Sequence, residues 1–146
     1  MRLLFDTNVF LDLYLGNSNS VEVEKLLLLC SKQNHEIYLT TMSIRDIGYI
    51  LQKYLHDKKK CRAVQLNLYQ LCNKVVSVSA DALIETLYSD SADFEDGLII
   101  EAANESMCDA IITSDLKGFL SSNIPVYSLK DINHRLSILE PVFDNF

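Results

Sequence analysis

The stretch Leu3-Leu4-Phe5-Asp6-Thr7-Asn8, almost at the start of the chain, joins a short apolar run to a polar turn. Such a run, bounded by turn-forming residues, is typical of a buried β-strand. Four more short apolar runs follow it, and stretches with helical periodicity separate them. This alternation predicts an α/β fold in three layers, with a mostly parallel central sheet of about five strands between helices.

The predicted strands are brief and rich in Ile, Val, Leu or Tyr. They cover about residues 3–5, 36–39, 75–78, 110–113 and 126–127. The predicted helices start mostly near Asn, Ser or Asp caps and cover about 9–14, 20–32, 43–56, 59–73, 80–89, 94–106 and 128–138. The chain has only four glycines and two prolines and no linker-like tract, so we expect a single domain over residues 1–146.

The composition restricts the possible functions. With 13 basic and 20 acidic residues the formal net charge is −7, so any contact with a nucleic acid must be local. The four cysteines form no CxxC pair, and we expect buried reduced thiols. The chain shows no signal-peptide pattern and no apolar run long enough to span a bilayer, which predicts a cytoplasmic protein without a membrane segment.

Two aspartates follow predicted strands. Asp6 comes directly after the first strand, and Asp115 follows the strand 110–113 after one intervening residue. Ligands of open α/β sheets bind beyond the carboxyl ends of the strands, so both acids are candidate site residues. Taken separately, each of them also fits an ordinary helix cap.

Further candidate acids lie near predicted helix starts. Asp46 falls at the margin of the apolar stripe of its helix, where a side chain can point into a cleft. Asp93 and Asp96 are one turn apart on a later helix and lead into a partly apolar surface. The pair also resembles a capping box, which needs no catalytic role.

The combination of these acids favours a metal site. Clustered carboxylates raise one another's pKa values, and a hard divalent cation with oxygen ligands relieves the repulsion. No thiolate or imidazole accompanies the acids in the sequence, which argues against zinc. The pattern therefore predicts Mg²⁺ or Mn²⁺, whose bound water can attack a phosphodiester.

Four segments together resemble the PIN-domain family, and within it the VapC-type toxin ribonucleases. They are Leu4-Phe5-Asp6-Thr7-Asn8-Val9, Thr41-Met42-Ser43-Ile44-Arg45-Asp46-Ile47, Asp93-Phe94-Glu95-Asp96-Gly97 and Asp109-Ala110-Ile111-Ile112-Thr113-Ser114-Asp115. The resemblance covers nearly the whole chain. It implies a metal-dependent endoribonuclease, the toxin of a type II toxin–antitoxin pair, with an RNA substrate, a cognate antitoxin and a homodimeric assembly.

The resemblance also assigns roles to residues. It makes Asp6, Asp46, Asp96 and Asp115 the catalytic acids, with metal ligation by Asp6, Asp96 and Asp115. Many family members have Glu where this chain has the shorter Asp46, so direct metal ligation is not assigned to Asp46 and a bridging water is expected. Accessory roles fall to Asn8, Asp93 and Thr113. Possible RNA contacts are Arg45, Lys53 and Lys117, whereas we interpret Lys58-Lys59-Lys60 as a solvated turn between helices.

Other functions fit the sequence less well. One alternative is a PIN-like nuclease of RNA processing that is not a toxin, and another is a catalytically weak PIN-like binding or regulatory module. A haloacid dehalogenase-type phosphatase would need a second acid where Asn8 stands. A receiver domain would need an acidic pair beside the first strand.

Overall fold

The computed structural model describes residues 1–91 and 93–139. The strands are β1 (Arg2–Phe5), β2 (Glu36–Thr40), β3 (Lys74–Val76), β4 (Ala110–Ile112) and β5 (Val126–Tyr127). The helices are α1 (Thr7–Leu15), α2 (Ser20–Gln33), α3 (Thr41–Leu55), α4 (Lys58–Leu71), α5 (Ala80–Tyr88), α6 (Phe94–Glu105) and α7 (Leu129–Ile138), with a 3₁₀ helix at Leu116–Phe119.

The five strands form one parallel sheet in the order β3-β2-β1-β4-β5. Side chains of β1 alternate between its two faces, as the pleat requires. Leu3 and Phe5 join a core cluster with residues of α1 to α4 and α7, whereas Leu4 joins a second cluster with residues of α6. The predicted three-layer α/β/α fold is therefore confirmed, and the sheet is fully parallel.

The strand order places a crevice beside β1. The chain runs outward from β1 through β2 to β3, and then returns to the other side of β1 to form β4 and β5. Ligand sites of open α/β sheets lie where the strand order reverses in this way, beyond the carboxyl ends of the strands. In this sheet that point lies between the ends of β1 and β4.

Three local features differ from the sequence prediction. Helix α1 begins at Thr7, about two residues before its predicted start, because Asp6 caps it by accepting the N–H of Thr7. Helix α3 begins at Thr41, two residues before its predicted start, because the hydroxyl of Thr40 at the end of β2 accepts the N–H of Ser43 at 3.0 Å. The 3₁₀ helix after β4 was not predicted. It is a single turn, capped by Asp115, and too short to produce a periodic pattern.

The four cysteines are buried and free, as predicted. Within residues 1–91 and 93–139, no helix is long and apolar enough to cross a membrane.

Candidate active site

Asp6 lies at the reversal point of the sheet and is only 5% exposed. One of its carboxylate oxygens accepts the N–H of Thr7 at 2.8 Å and caps α1. The other oxygen accepts the hydroxyl of Thr113 at 2.9 Å. Burial raises the pKa of Asp6, and the charges of Asp115 and Asp93 add to this increase against the lowering effect of the two hydrogen bonds. Asp6 is thus a buried, rigidly oriented carboxyl group that is costly to ionise.

Thr113 connects the first acid to the last. Its side chain is completely buried, and its hydroxyl, which donates to Asp6, also accepts the N–H of Asp115 at 3.0 Å. The parallel pairing of β1 with β4 brings these residues together. Thr113 makes the contact with Asp6 that its predicted supporting role requires. That this contact contributes to function stays a prediction.

Asp96 lies in the first turn of α6, beside the cleft. Its N–H donates at 3.0 Å to the carboxylate of Asp93, which caps the helix. Burial raises the pKa of Asp96 to about 7, and the like charges of Asp6, Asp93, Asp115 and Glu95 contribute to the shift. Near neutral pH this carboxyl group therefore exists in both protonation states.

The carboxylate of Asp96 also packs against the backbone of the 3₁₀ helix. A Cβ atom at Gly118 would overlap a carboxylate oxygen of Asp96. The absence of a side chain at Gly118 therefore permits the observed position of Asp96. Sequence reasoning missed this residue, because the contact joins elements distant in the chain.

Asp115 is exposed and caps the 3₁₀ helix, where its carboxylate accepts the N–H of Lys117 at 3.1 Å. Its charge contributes to the raised pKa values of both Asp6 and Asp96. The structure thus brings Asp6, Asp93, Asp96 and Asp115 into one electrostatically coupled group.

Asp46 stands apart from this group. It lines the same cleft as Asp6 and Asp96, but its carboxylate forms an ion pair with Arg45 at 3.0 Å. The charges that raise the pKa of Asp96 come from the other acids and not from Asp46. Asp46 therefore lies on a separate wall of the cleft.

The cleft has a volume of about 590 Å³. Its walls include Asn8, exposed in the first turn of α1, and Phe94, which is 48% exposed. Within the described ranges Asn8 makes no side-chain hydrogen bond, so its predicted supporting role gains no contact from the structure. Of the predicted RNA contacts, Arg45 lines the cleft, whereas Lys53 and Lys117 do not.

A chain of hydroxyl groups beside the cleft was not predicted. The Ser43 hydroxyl lies 2.8 Å from that of Thr7 and 3.0 Å from that of Thr40. These contacts join the start of α1 to the start of α3, and so fix the distance between the walls that carry Asp6 and Asp46. The sequence contained one signal of this link, because Thr7 lies beside Asp6 in the first motif and Ser43 lies three residues before Asp46 in the second.

The donors around the cleft are chemically suited to a hard cation, because the acidic groups that line it include four carboxylates, those of Asp6, Asp46, Glu95 and Asp96, and no thiol or imidazole of the described chain lines it. As the side chains stand, no three His, Cys, Asp or Glu residues of the described chain lie close enough together to hold one metal ion. Mg²⁺ in phosphate chemistry is commonly held by one or two carboxylates, with waters and substrate phosphates completing the shell. The residues present fit that mode of binding.

Comparison with known proteins identifies the family. The model of the PIN-domain family matches residues 2–117. No curated protein sequence matches the chain.

Several solved structures share the fold. A toxin–antitoxin complex from Klebsiella pneumoniae is 18% identical, with a TM-score of 0.64 over 87% of this chain and 97% of that one. The VapBC2 complex from Rickettsia felis, bound to a promoter DNA fragment, is 16% identical, with a TM-score of 0.66 over 88% and 98%. FitAcB from Neisseria gonorrhoeae is 17% identical, with a TM-score of 0.64 over 88% and 98%.

Proposed function

Because the chain belongs to the PIN-domain family, a family of nucleases, we propose that it is a metal-dependent endoribonuclease that hydrolyses RNA phosphodiester bonds in the cleft of Asp6 and Asp96. The observation that carries the proposal is the coupled acidic group at the reversal point of the sheet. Burial and mutual repulsion raise the pKa values of Asp6 and Asp96. Carboxyl groups that are costly to ionise fit a role in binding a cation, because the positive charge favours their ionised form.

Mg²⁺ or Mn²⁺ is the proposed cofactor, with Asp6, Asp96 and Asp115 as its candidate ligands; one or two of these carboxylates would bind it directly, and waters or substrate phosphates would complete the shell. Asp6 is the most firmly oriented of the three, since Thr7 and Thr113 fix both of its oxygens. The bound cation supplies charge neutralisation at the scissile phosphate and lowers the pKa of water. Asp46, on the separate wall, would act on the substrate side of the cleft, with its orientation set by Arg45.

We extend the proposal to a toxin role, with a cognate antitoxin and a homodimeric assembly in the cytoplasm. Complexes of toxins with antitoxins share this fold at low sequence identity. That likeness supports the extension, although a nuclease of RNA processing would have the same site. The two roles differ in whether expression of the chain alone stops growth.

The test compares wild-type protein with Asp6→Asn in an RNA cleavage assay, with and without Mn²⁺. We expect cleavage only by the wild type with the metal, because the substitution removes the best-oriented ligand charge. Asp81→Asn is the matched control, since Asp81 is an exposed acid at the start of α5, and it should cleave like the wild type. Equal cleavage by Asp6→Asn would rule out this site.

The same proteins test the toxin role. Expression of the wild type in a bacterial host should arrest growth, and expression of Asp6→Asn should not. Normal growth on expression of a cleavage-competent wild type would favour RNA processing.

A further inference from the structure

The basic residues of this acidic protein are concentrated in one segment. Residues 45–62 contain six of the 13 basic residues and only two acids, a net charge of +4 in a chain of −7. The segment comprises most of α3 and the start of α4, which pack against each other. The net charge of this segment is opposite in sign to that of the whole chain, as a contact with a polyanion requires.

The start of α4 concentrates this charge. Lys58, Lys59 and Lys60 form its first turn, so the predicted solvated turn between the helices is in fact helical. Asp57 caps the helix by accepting the N–H groups of Lys59 and Lys60 at 3.1 and 3.2 Å. The N-terminus of a helix carries a partial positive charge, which disfavours lysine there. A sequence that breaks a local rule in this way often does so for function.

A second groove lies between α3 and α4, and its walls include Tyr49, Gln52, Lys58 and Arg62. Tyr49 also lines the acidic cleft, so the groove and the cleft adjoin. The Tyr49 ring is 64% exposed, with the ammonium nitrogen of Lys53 4.5 Å from its centre. The groove therefore offers cations and an aromatic face.

We infer that this α3–α4 groove binds the part of a single-stranded RNA that extends beyond the cleft. In this arrangement Lys58 and Arg62 contact phosphates, and a base stacks on Tyr49. The inference rests on the proposed nuclease function and adds a substrate-binding surface to it. A basic groove with an exposed aromatic ring is the usual means of holding a single strand without base-specific contacts. A nucleic acid would use both the cations and the exposed ring, which favours RNA over an acidic protein segment.

The test measures the binding of a labelled single-stranded RNA of about 12 nucleotides to the full-length protein. The protein carries Asp6→Asn so that the RNA stays intact. The double variant Lys58→Ala/Arg62→Ala should weaken binding and reduce the slope of log K against log salt by about 1.4, since each phosphate contact on a single strand contributes about 0.7. The control Lys130→Ala removes an exposed lysine on α7, which packs against α2 and β5, and should leave the slope unchanged.

Substitution of Tyr49 tests the stacking contact separately. Tyr49→Ala should weaken RNA binding roughly tenfold, whereas Tyr49→Phe keeps the ring and should bind within about twofold of the parent. Equal losses in the two variants would contradict stacking. Melting temperatures confirm that each variant is folded, as expected for substitutions of exposed side chains.

A salt slope in the double variant equal to that of Lys130→Ala would overturn the inference and leave the groove as a surface for a protein chain. This failure is distinguishable from failure of the nuclease proposal. If the wild type cleaves RNA, and if the groove variants bind RNA like the control in the Asp6→Asn background and cleave it like the control when Asp6 is present, the proposed role of the groove is wrong and the nuclease proposal stands. If RNA is bound with the predicted slopes but never cleaved, the nuclease proposal fails and the groove stands.

Discussion

At the scale of single residues, the two oxygens of the Asp6 carboxylate have different partners. One accepts the N–H of Thr7 and caps α1, as the sequence alone already suggests for an acid in this position. The other is held by Thr113 across the β1–β4 pair. A cap and a fixed, buried carboxylate thus coexist in one side chain, so the capping interpretation does not exclude a catalytic one.

Gly118 provides a test of Asp96 that leaves the acid itself in place. A Cβ atom at position 118 would overlap the Asp96 carboxylate, so Gly118→Ala should force this side chain out of its present position. We expect RNA cleavage to fall at least tenfold, since small misplacements of catalytic groups have effects of up to about 10²-fold. The stabilisation by Mn²⁺, measured as the rise in melting temperature, should also decrease.

Leu120→Ala is the control for Gly118→Ala. Leu120 follows the same 3₁₀ helix and is 85% exposed, so its truncation perturbs the segment without touching Asp96. It should retain wild-type cleavage and Mn²⁺ response. If Gly118→Ala also retains both, the observed position of Asp96 is not needed for activity.

At the scale of elements, the placement of α4 on α3 depends on a glycine. A Cβ atom at Gly48 would overlap the side-chain amide of Gln65, which donates to the carbonyl of Ile44 at 3.0 Å. Gly48→Ala gains about 1 kcal/mol of helix propensity. It also displaces an amide whose hydrogen bond contributes about 1 kcal/mol, and it crowds the helix contact by a further 1–3 kcal/mol. We therefore expect a net loss of about 1–3 kcal/mol in the free energy of unfolding.

The matched experiment repeats Gly48→Ala in a Gln65→Ala background. There the obstructing amide is gone, so the substitution should stabilise the protein by up to about 1 kcal/mol. Urea unfolding of the four proteins gives the coupling between the two positions. Equal effects of Gly48→Ala in both backgrounds would show that Gln65 does not determine the cost.

The helices and strands were predictable where the sequence pattern is local. Leu3-Leu4-Phe5 defines β1 without any long-range information. The start of α3 was misplaced because Thr40 both ends a strand and caps a helix. The overlap of Gly118 with Asp96 joins residues far apart in the chain, and no local pattern encodes it.

The sequence was sufficient to identify the candidate acids, but it was not sufficient to show which of them lie together. Spacing placed Asp6 and Asp115 at strand ends, and the sheet order then brought them together. Asp46 differs from the other acids of the site in its ion pair with Arg45. That pair reflects side-chain orientation on an exposed helix face, which the sequence does not determine.

At the scale of the whole molecule, the acidic group makes stability depend on pH. The pKa of Asp96 rises from 3.8 in the unfolded chain to about 7 in the metal-free folded protein, and burial raises that of Asp6 as well. Below the unfolded value both states are protonated. As the pH rises from there to about 7, the unfolded chain ionises first, so the metal-free protein loses stability across this window.

Mn²⁺ should reverse this trend, because carboxylates must lose their protons to bind a metal. The metal-free melting temperature should therefore fall between about pH 4 and pH 7 and then level off, while the rise caused by Mn²⁺ grows over the same interval. Differential scanning fluorimetry at a series of pH values, with and without Mn²⁺, measures both effects. Asp96→Asn cannot ionise, so its metal-free protein should be more stable than the wild type at about pH 8 and its Mn²⁺ response should be small at every pH. A Mn²⁺-induced rise that is the same at both ends of the pH range would contradict metal binding by the ionised forms of these carboxylates.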